Sequence, residues 1–155
     1  MDDSRPLVVL IVDDDPGDVL IIQEALHGSP RRRRLHVADD GQQALSFLRR
    51  TGRHRTAPRP DLVLLDLNMP RVDGRQVLAA VKGDPELRSI PVVVLTTSST
   101  PEDVLEAYQN HANAFLTKPL ELDELTAVVQ QVDHFFGDLA QHPPNKRQEP
   151  GSSGR

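Results

Sequence analysis

The sequence predicts an α/β domain, a doubly wound parallel sheet with helices on both faces, and three observations carry that prediction. Short runs rich in Val, Ile and Leu recur five times, segments with apolar residues at helical spacing separate them, and four of the five runs end abruptly in a polar or charged residue. A strand buried on both faces reads as a continuous apolar run, and its regular alternation with helices implies parallel crossover units. With 155 residues, 37% of them apolar, the chain is long enough for one domain with a full core and too short for two.

In chain order, Leu7 to Val12 is the first strand, and Asp13, Asp14 and Asp15 follow it at once. Asp15 before Pro16 is a helix N-cap with proline in the first turn, and Val19, Ile22 and Leu26 keep helical spacing as far as Gly28. Arg31 to Arg34 reads as a solvated basic turn ahead of a short second strand over 35–38. A second helix from about 42 to 50 carries Ala44, Leu45 and Leu48 on one face, and the Arg-, His- and Pro-rich stretch 51–60 reads as an exposed loop. Asp61 and Leu62 to Leu65 form the third strand, ended by Asp66 and the turn residues Asn68, Pro70, Asp73 and Gly74. Val77, Leu78 and Val81 mark a third helix that Gly83-Asp84-Pro85 stops. The fourth strand covers 91–96 and ends in hydroxyls, of which Thr100 before Pro101 suits a helix cap, leaving Thr96 or Thr97 without a structural duty. Ala114 to Leu116 is the fifth strand, Thr117-Lys118-Pro119 follows, and Leu125, Val128, Val129, Val132 and Phe136 stripe a last helix. The domain is therefore expected over 7–136, with an N-terminal extension over 1–6 and a disordered Pro- and Gly-rich tail over 137–155.

Composition removes several classes of function. Without cysteine there are no disulfides, thiol nucleophiles or cysteine-held zinc, and the six scattered histidines lack the i, i+4 spacing of a metal helix. A net charge of −5 favours neither nucleic acid nor an anionic membrane surface. No apolar run approaches 18 residues and the first six residues are not a signal peptide, so a cytoplasmic protein without membrane contact is expected.

In a parallel sheet the strand ends after strands one, three, four and five share one edge, which brings Asp13, Asp14, Asp66, Thr96 and Lys118 together. Adjacent carboxylates at ~4 Å repel by roughly 4 kcal/mol at an effective dielectric near 20, so a cation or donor must compensate them. Three carboxylates, a hydroxyl and an ammonium suit a hard divalent cation with a phosphoryl group nearby. An EF-hand calcium loop fails, because the stretch from Asp66 lacks glycine at its sixth position and has Val77 where a glutamate must stand. A flavin phosphate fails as well, because carboxylates replace the donors it needs after the first strand.

Four motifs, Val-Asp13-Asp14, Leu-Leu-Asp66-Leu-Asn68-Met-Pro70-Arg-Val-Asp73-Gly74, Leu-Thr96-Thr97 and Lys118-Pro119, resemble those of the receiver domains of two-component response regulators over residues 7 to 136. The resemblance implies a flavodoxin-like fold with five helices and strand order 2-1-3-4-5. It implies that Asp66 is the phospho-acceptor, that Asp13, Asp14, Asp66 and the Asn68 backbone carbonyl hold Mg²⁺, and that Thr96 and Lys118 contact the phosphoryl oxygens. Thr96 and Phe115 become the switch pair, with Phe115 lacking the hydroxyl of a tyrosine, and the Lys118–Pro119 bond is expected to be cis. The expected activity is that of a stand-alone phospho-accepting switch, not an enzyme beyond its own phosphorylation and dephosphorylation, served by a sensor histidine kinase. The Pro-Gly after the acidic triplet, the long loop before strand three, Leu-Thr-Thr-Ser and the paired Phe135-Phe136 resemble regulators of phytochrome-type kinases, which makes a bacteriophytochrome the expected partner.

Two other classes compete and each lacks a part. A phosphatase of the haloacid dehalogenase type needs an acid two residues after the nucleophile, and that position is Asn68. A DNA-binding regulator needs a basic recognition domain, and nineteen residues follow Phe136, so no DNA contact is expected. Phe135 falls outside the apolar stripe of the last helix, toward the helix of Tyr108, and an aromatic left outside the core points to a homodimer on helix 4, strand 5 and helix 5.

Overall fold

The central strands form where the apolar runs are fully buried, because each run has the length to cross a sheet and no charged residue that would need solvent. The computed structural model describes residues 5–29 and 31–144. Strands β1 (Leu7–Val12), β2 (Arg33–Ala38), β3 (Leu62–Leu65), β4 (Val92–Thr96) and β5 (Ala114–Thr117) pair in the order β2-β1-β3-β4-β5, every neighbouring pair parallel. Helices α1 (Pro16–His27), α2 (Gly41–Arg49), α3 (Gly74–Gly83), α4 (Pro101–Gln109) and α5 (Leu122–Asp133) alternate with them. This is the flavodoxin-like architecture that the motifs imply.

Side chains alternate across the strands and so divide the core in two. Leu10, Val12, Val63, Leu65, Val92 and Val94 meet Phe47, Leu48, Val77, Leu78, Val81 and Ala107 on the side of α2, α3 and α4. Val9, Ile11, Leu62, Leu64, Val93 and Leu95 meet Ile22, Leu26, Leu125, Val129 and Val132 on the side of α1 and α5. Caps fix the helix starts. Asp15 accepts from Gly17 N and Asp18 N, Thr100 accepts from Asp103 N, and Asp73 with Gln76 closes a reciprocal capping box at α3.

Two expectations are corrected. The basic run is no solvated turn: β2 begins at Arg33, and alternation along the extended chain turns every second arginine inward. Arg33 Nε donates to Asp133 Oδ1 at 2.6 Å, Nη2 to Asp138 Oδ1 at 3.2 Å and Nη1 to Arg31 O at 2.9 Å, with the Arg33 side chain 1% exposed. Arg31 in turn donates to Gly137 O and Arg5 O. The chain also does not lose its structure at Gly137, because α5 widens into a π-helical turn over His134–Leu139 that packs over these arginines. Gly137 allows this approach, since a Cβ there would lie 2.4 Å from Arg33 Nη2. The rest of the tail, residues 145–155, lies outside the described residues, as do residues 1–4 of the N-terminal extension. Among the described residues, no helix is long and apolar enough to cross a membrane.

Candidate functional site

Parallel pairing carries the polar strand ends to one edge of the sheet, as their positions in the chain predict. Asp13 follows β1 and is buried, its backbone N–H bonded to Ala38 O. Asp66 follows β3 and is buried, its N–H bonded to Val12 O, which sets it beside Asp13. Thr96 closes β4 fully buried, and Lys118 follows β5, buried, with its N–H on Thr96 O at 2.7 Å.

Around Asp66 every oxygen has a partner. Its Oδ1 accepts from the Thr96 hydroxyl at 2.7 Å and from Asn68 N at 3.2 Å, and its Oδ2 accepts from Lys118 Nζ at 3.1 Å. Lys118 also donates to Asp13 Oδ2 and to Asp18 Oδ2, both at 2.9 Å. Burial opposes the charge on Lys118, but hydrogen bonds to Asp13 and Asp18 and the charges of Asp13 and Asp66 outweigh it and hold its pKa above the ordinary lysine value. Asp13 is pushed the other way: burial raises its pKa despite the bond from Lys118, the Asp15 N–H and the charge of Lys118, and the charge of Asp66 adds to the rise. Both partners of this ion pair shift upward, Asp13 because burial outweighs the ammonium it shares and Lys118 because it serves three carboxylates.

That shortfall of positive charge bears on the metal. Asp13, Asp14 and Asp66 each offer an oxygen, and the three oxygens lie within 4.8 Å of one another. Asp14, unlike the other two, is exposed to solvent. Hard carboxylate oxygens at this spacing, one of them open to water, fit a hydrated divalent cation. Asn68, expected to contribute its carbonyl, lies on the rim with its side chain 3.5 Å from Arg75 Nη1.

Three particulars differ from expectation or add to it. The Thr96 hydroxyl donates to Asp66 itself, a contact the sequence did not show. The Lys118–Pro119 bond is trans, there being no cis peptide among the described residues; trans is the lower-energy default of an X–Pro bond by about 0.5–1 kcal/mol. Asp18, the third partner of Lys118, escaped sequence reasoning because an acid in the first turn of a helix is ordinary. Phe115 is half-buried against the α2–α4 core, and its N–H donates to the Tyr108 hydroxyl at 3.2 Å, tying β5 to α4.

The loop after Asp66 leaves no room at Gly74, where a Cβ would lie 2.1 Å from Asp66 O and 2.6 Å from Leu67 Cα. Backbone on both sides cannot yield locally, so Gly74→Ala is expected to lower stability by about 1–3 kcal/mol. Thermal melting checks this, and an unchanged transition would contradict the close approach.

Residues 9–130 match the response regulator receiver domain. The chain belongs to the response regulator receiver family. Response regulator Rcp1 of Synechocystis sp. is 44% identical to this receiver over 133 residues, covering 86% of the chain and 90% of the relative. The crystal structure of the Mn²⁺-bound form of Rcp1 superposes with a TM-score of 0.87 at 42% identity, covering 90% of the receiver and 100% of that chain. That of the phosphorylated cyanobacterial phytochrome response regulator RcpA gives 0.88 at 40% identity, with the same coverage. Receivers are phosphorylated on an aspartate, bind a divalent metal and work with histidine kinases, and the acidic cluster of this receiver offers the oxygens such a metal needs.

Proposed function

We propose that this receiver, spanning 7–136, accepts a phosphoryl group on Asp66 in a Mg²⁺-dependent transfer from a sensor histidine kinase, and that the acyl phosphate changes its protein contacts. The observation that carries the reading is the convergence of Asp13, Asp14, Thr96 and Lys118 on Asp66. An Asp66 oxygen attacks phosphorus as the bond to the kinase histidine nitrogen breaks, giving a mixed anhydride. Mg²⁺ held by Asp13, Asp14, Asp66 and the Asn68 carbonyl supplies positive charge toward the phosphoryl oxygens. Lys118 orients the acceptor and meets the transferred oxygens, and the Thr96 hydroxyl passes from Asp66 to one of them. The product needs no enzyme activity beyond its own phosphorylation and hydrolysis. The acyl phosphate carries roughly 1.5–2 negative charges where the free carboxylate carried one, at the carboxyl ends of β3 and β4, beside the β4–α4 loop. Incubation with acetyl phosphate and Mg²⁺ is expected to label wild type, with labelling abolished by chelator and in Asp66→Asn. Full labelling of that variant would refute the assignment.

Likeness to phytochrome and bacteriophytochrome response regulators supports a bacteriophytochrome as the kinase. The output surface we infer is a homodimer face on α4, β5 and α5, where Tyr108 is 48% and Phe135 54% exposed. Phe135 is held edge-on to Phe136 at 5.0 Å, so it presents a fixed apolar ring. Phe135→Asp is expected to weaken self-association at least tenfold in sedimentation equilibrium, and a monomeric wild type with and without phosphoryl mimic would end this reading.

A further inference from the structure

Lys118 spends all three of its ammonium protons on carboxylates, and only two of those, Asp13 and Asp66, belong to the cluster that can hold a metal. The third, Asp18, sits on the first turn of α1, one turn beyond the Asp15 cap, and its side chain is 25% exposed against 3% for Asp13. Its carboxylate makes no capping bond: Asp15, not Asp18, receives the free N–H groups at the start of α1. The Asp18 carboxylate instead accepts from Lys118 Nζ, which places its role at the site.

Asp13 faces a conflict. Its Oδ2 is 2.9 Å from Lys118 Nζ, while its carboxylate is also one of three whose oxygens converge to within 4.8 Å. A cation held there and the ammonium would share one carboxylate and repel each other at short range. Releasing Asp13 would free one proton of a buried ammonium, whose charge would then be held by the carboxylates that remain. Of these, Asp18 lies at 2.9 Å and is not one of the three carboxylates of the cluster.

We propose that Asp18 is a positioning residue: it retains Lys118 while Asp13 exchanges the ammonium for the divalent cation, and so sets the metal affinity of the site. This inference rests on the reading of Asp13, Asp14 and Asp66 as metal ligands, and it does not depend on which residue takes the phosphoryl group. Asp18→Asn removes the anchoring charge, so Lys118 leans on Asp13 and Asp66 and resists the incoming cation. Asp18→Glu, which keeps the carboxylate on the same helix turn, should restore part of the effect.

The experiment is a Mg²⁺ titration of the unphosphorylated protein by amide chemical shifts, in wild type, Asp18→Asn, Asp18→Glu, Lys118→Met and the Asp18→Asn/Lys118→Met double variant. A melting curve of each variant accompanies it. The expected result is three- to tenfold weaker Mg²⁺ binding in Asp18→Asn, partial recovery in Asp18→Glu, and less than a twofold effect of Asp18→Asn when Lys118 is already methionine. An equal loss with and without Lys118 would mean that Asp18 acts as a distant charge and would overturn the positioning role. An unchanged affinity in Asp18→Asn with a lowered melting temperature would reduce Asp18 to a structural contact and overturn it too. If wild type shows no saturable Mg²⁺ shifts at Asp13, Asp14 and Asp66, the underlying metal reading fails instead, which is a separate and visible outcome.

Discussion

Lys118→Met is expected to slow phosphorylation by acetyl phosphate about 100- to 1,000-fold, the typical loss when one preorganised charge-stabilising donor is removed from a reacting site. The ammonium lies 3.1 Å from Asp66 Oδ2, where the transferred oxygens must arrive, and its raised pKa keeps it charged throughout the neutral range. Methionine has nearly the same length and fills the same volume, so the variant isolates the charge from the packing. Its effect should fall on the rate of transfer at saturating phosphodonor, because Lys118 meets charge that develops during transfer. Stopped-flow measurement of the acyl phosphate decides it, and a loss below tenfold would take Lys118 out of the chemistry.

The second large effect concerns stability at the opposite end of the sheet. Arg33→Met is expected to cost about 3–5 kcal/mol, because it leaves Asp133, 6% exposed, as a buried carboxylate without its cation. Changing both partners, Arg33→Met with Asp133→Leu, should recover most of the loss, since an apolar pair of similar volume has no charge to strand. Urea unfolding of the single and double variants measures this. If the double variant is as unstable as the single one, the cost lies in the π-turn packing around Gly137 and not in the ion pair.

These two sites differ in how far sequence reasoning reaches them. β1, β3 and β4 were legible because they are buried on both faces, and such strands carry apolar residues at every position. The site was legible for a topological reason: in a parallel sheet, residues that follow separate strands must meet at one edge, so Asp13, Asp66, Thr96 and Lys118 could be grouped without knowing any distance. Arg33 was misread because its partner Asp133 lies 100 residues away, and no local pattern separates a buried arginine from the solvated ones beside it. Asp18 was missed for the same reason, its bond to Lys118 also spanning 100 residues. The end of α5 was set too late as a regular helix, because its apolar stripe runs on to Phe136 while the backbone widens at His134 to cover Arg33.

Reductive trapping tests the central claim most directly. Borohydride converts an aspartyl phosphate to homoserine, so wild-type protein phosphorylated in the presence of Mg²⁺, reduced, digested and sequenced by mass spectrometry should carry homoserine at position 66. Homoserine at Asp13 or Asp14, or its absence from all three positions in protein that has taken up phosphate, would contradict Asp66 as the acceptor.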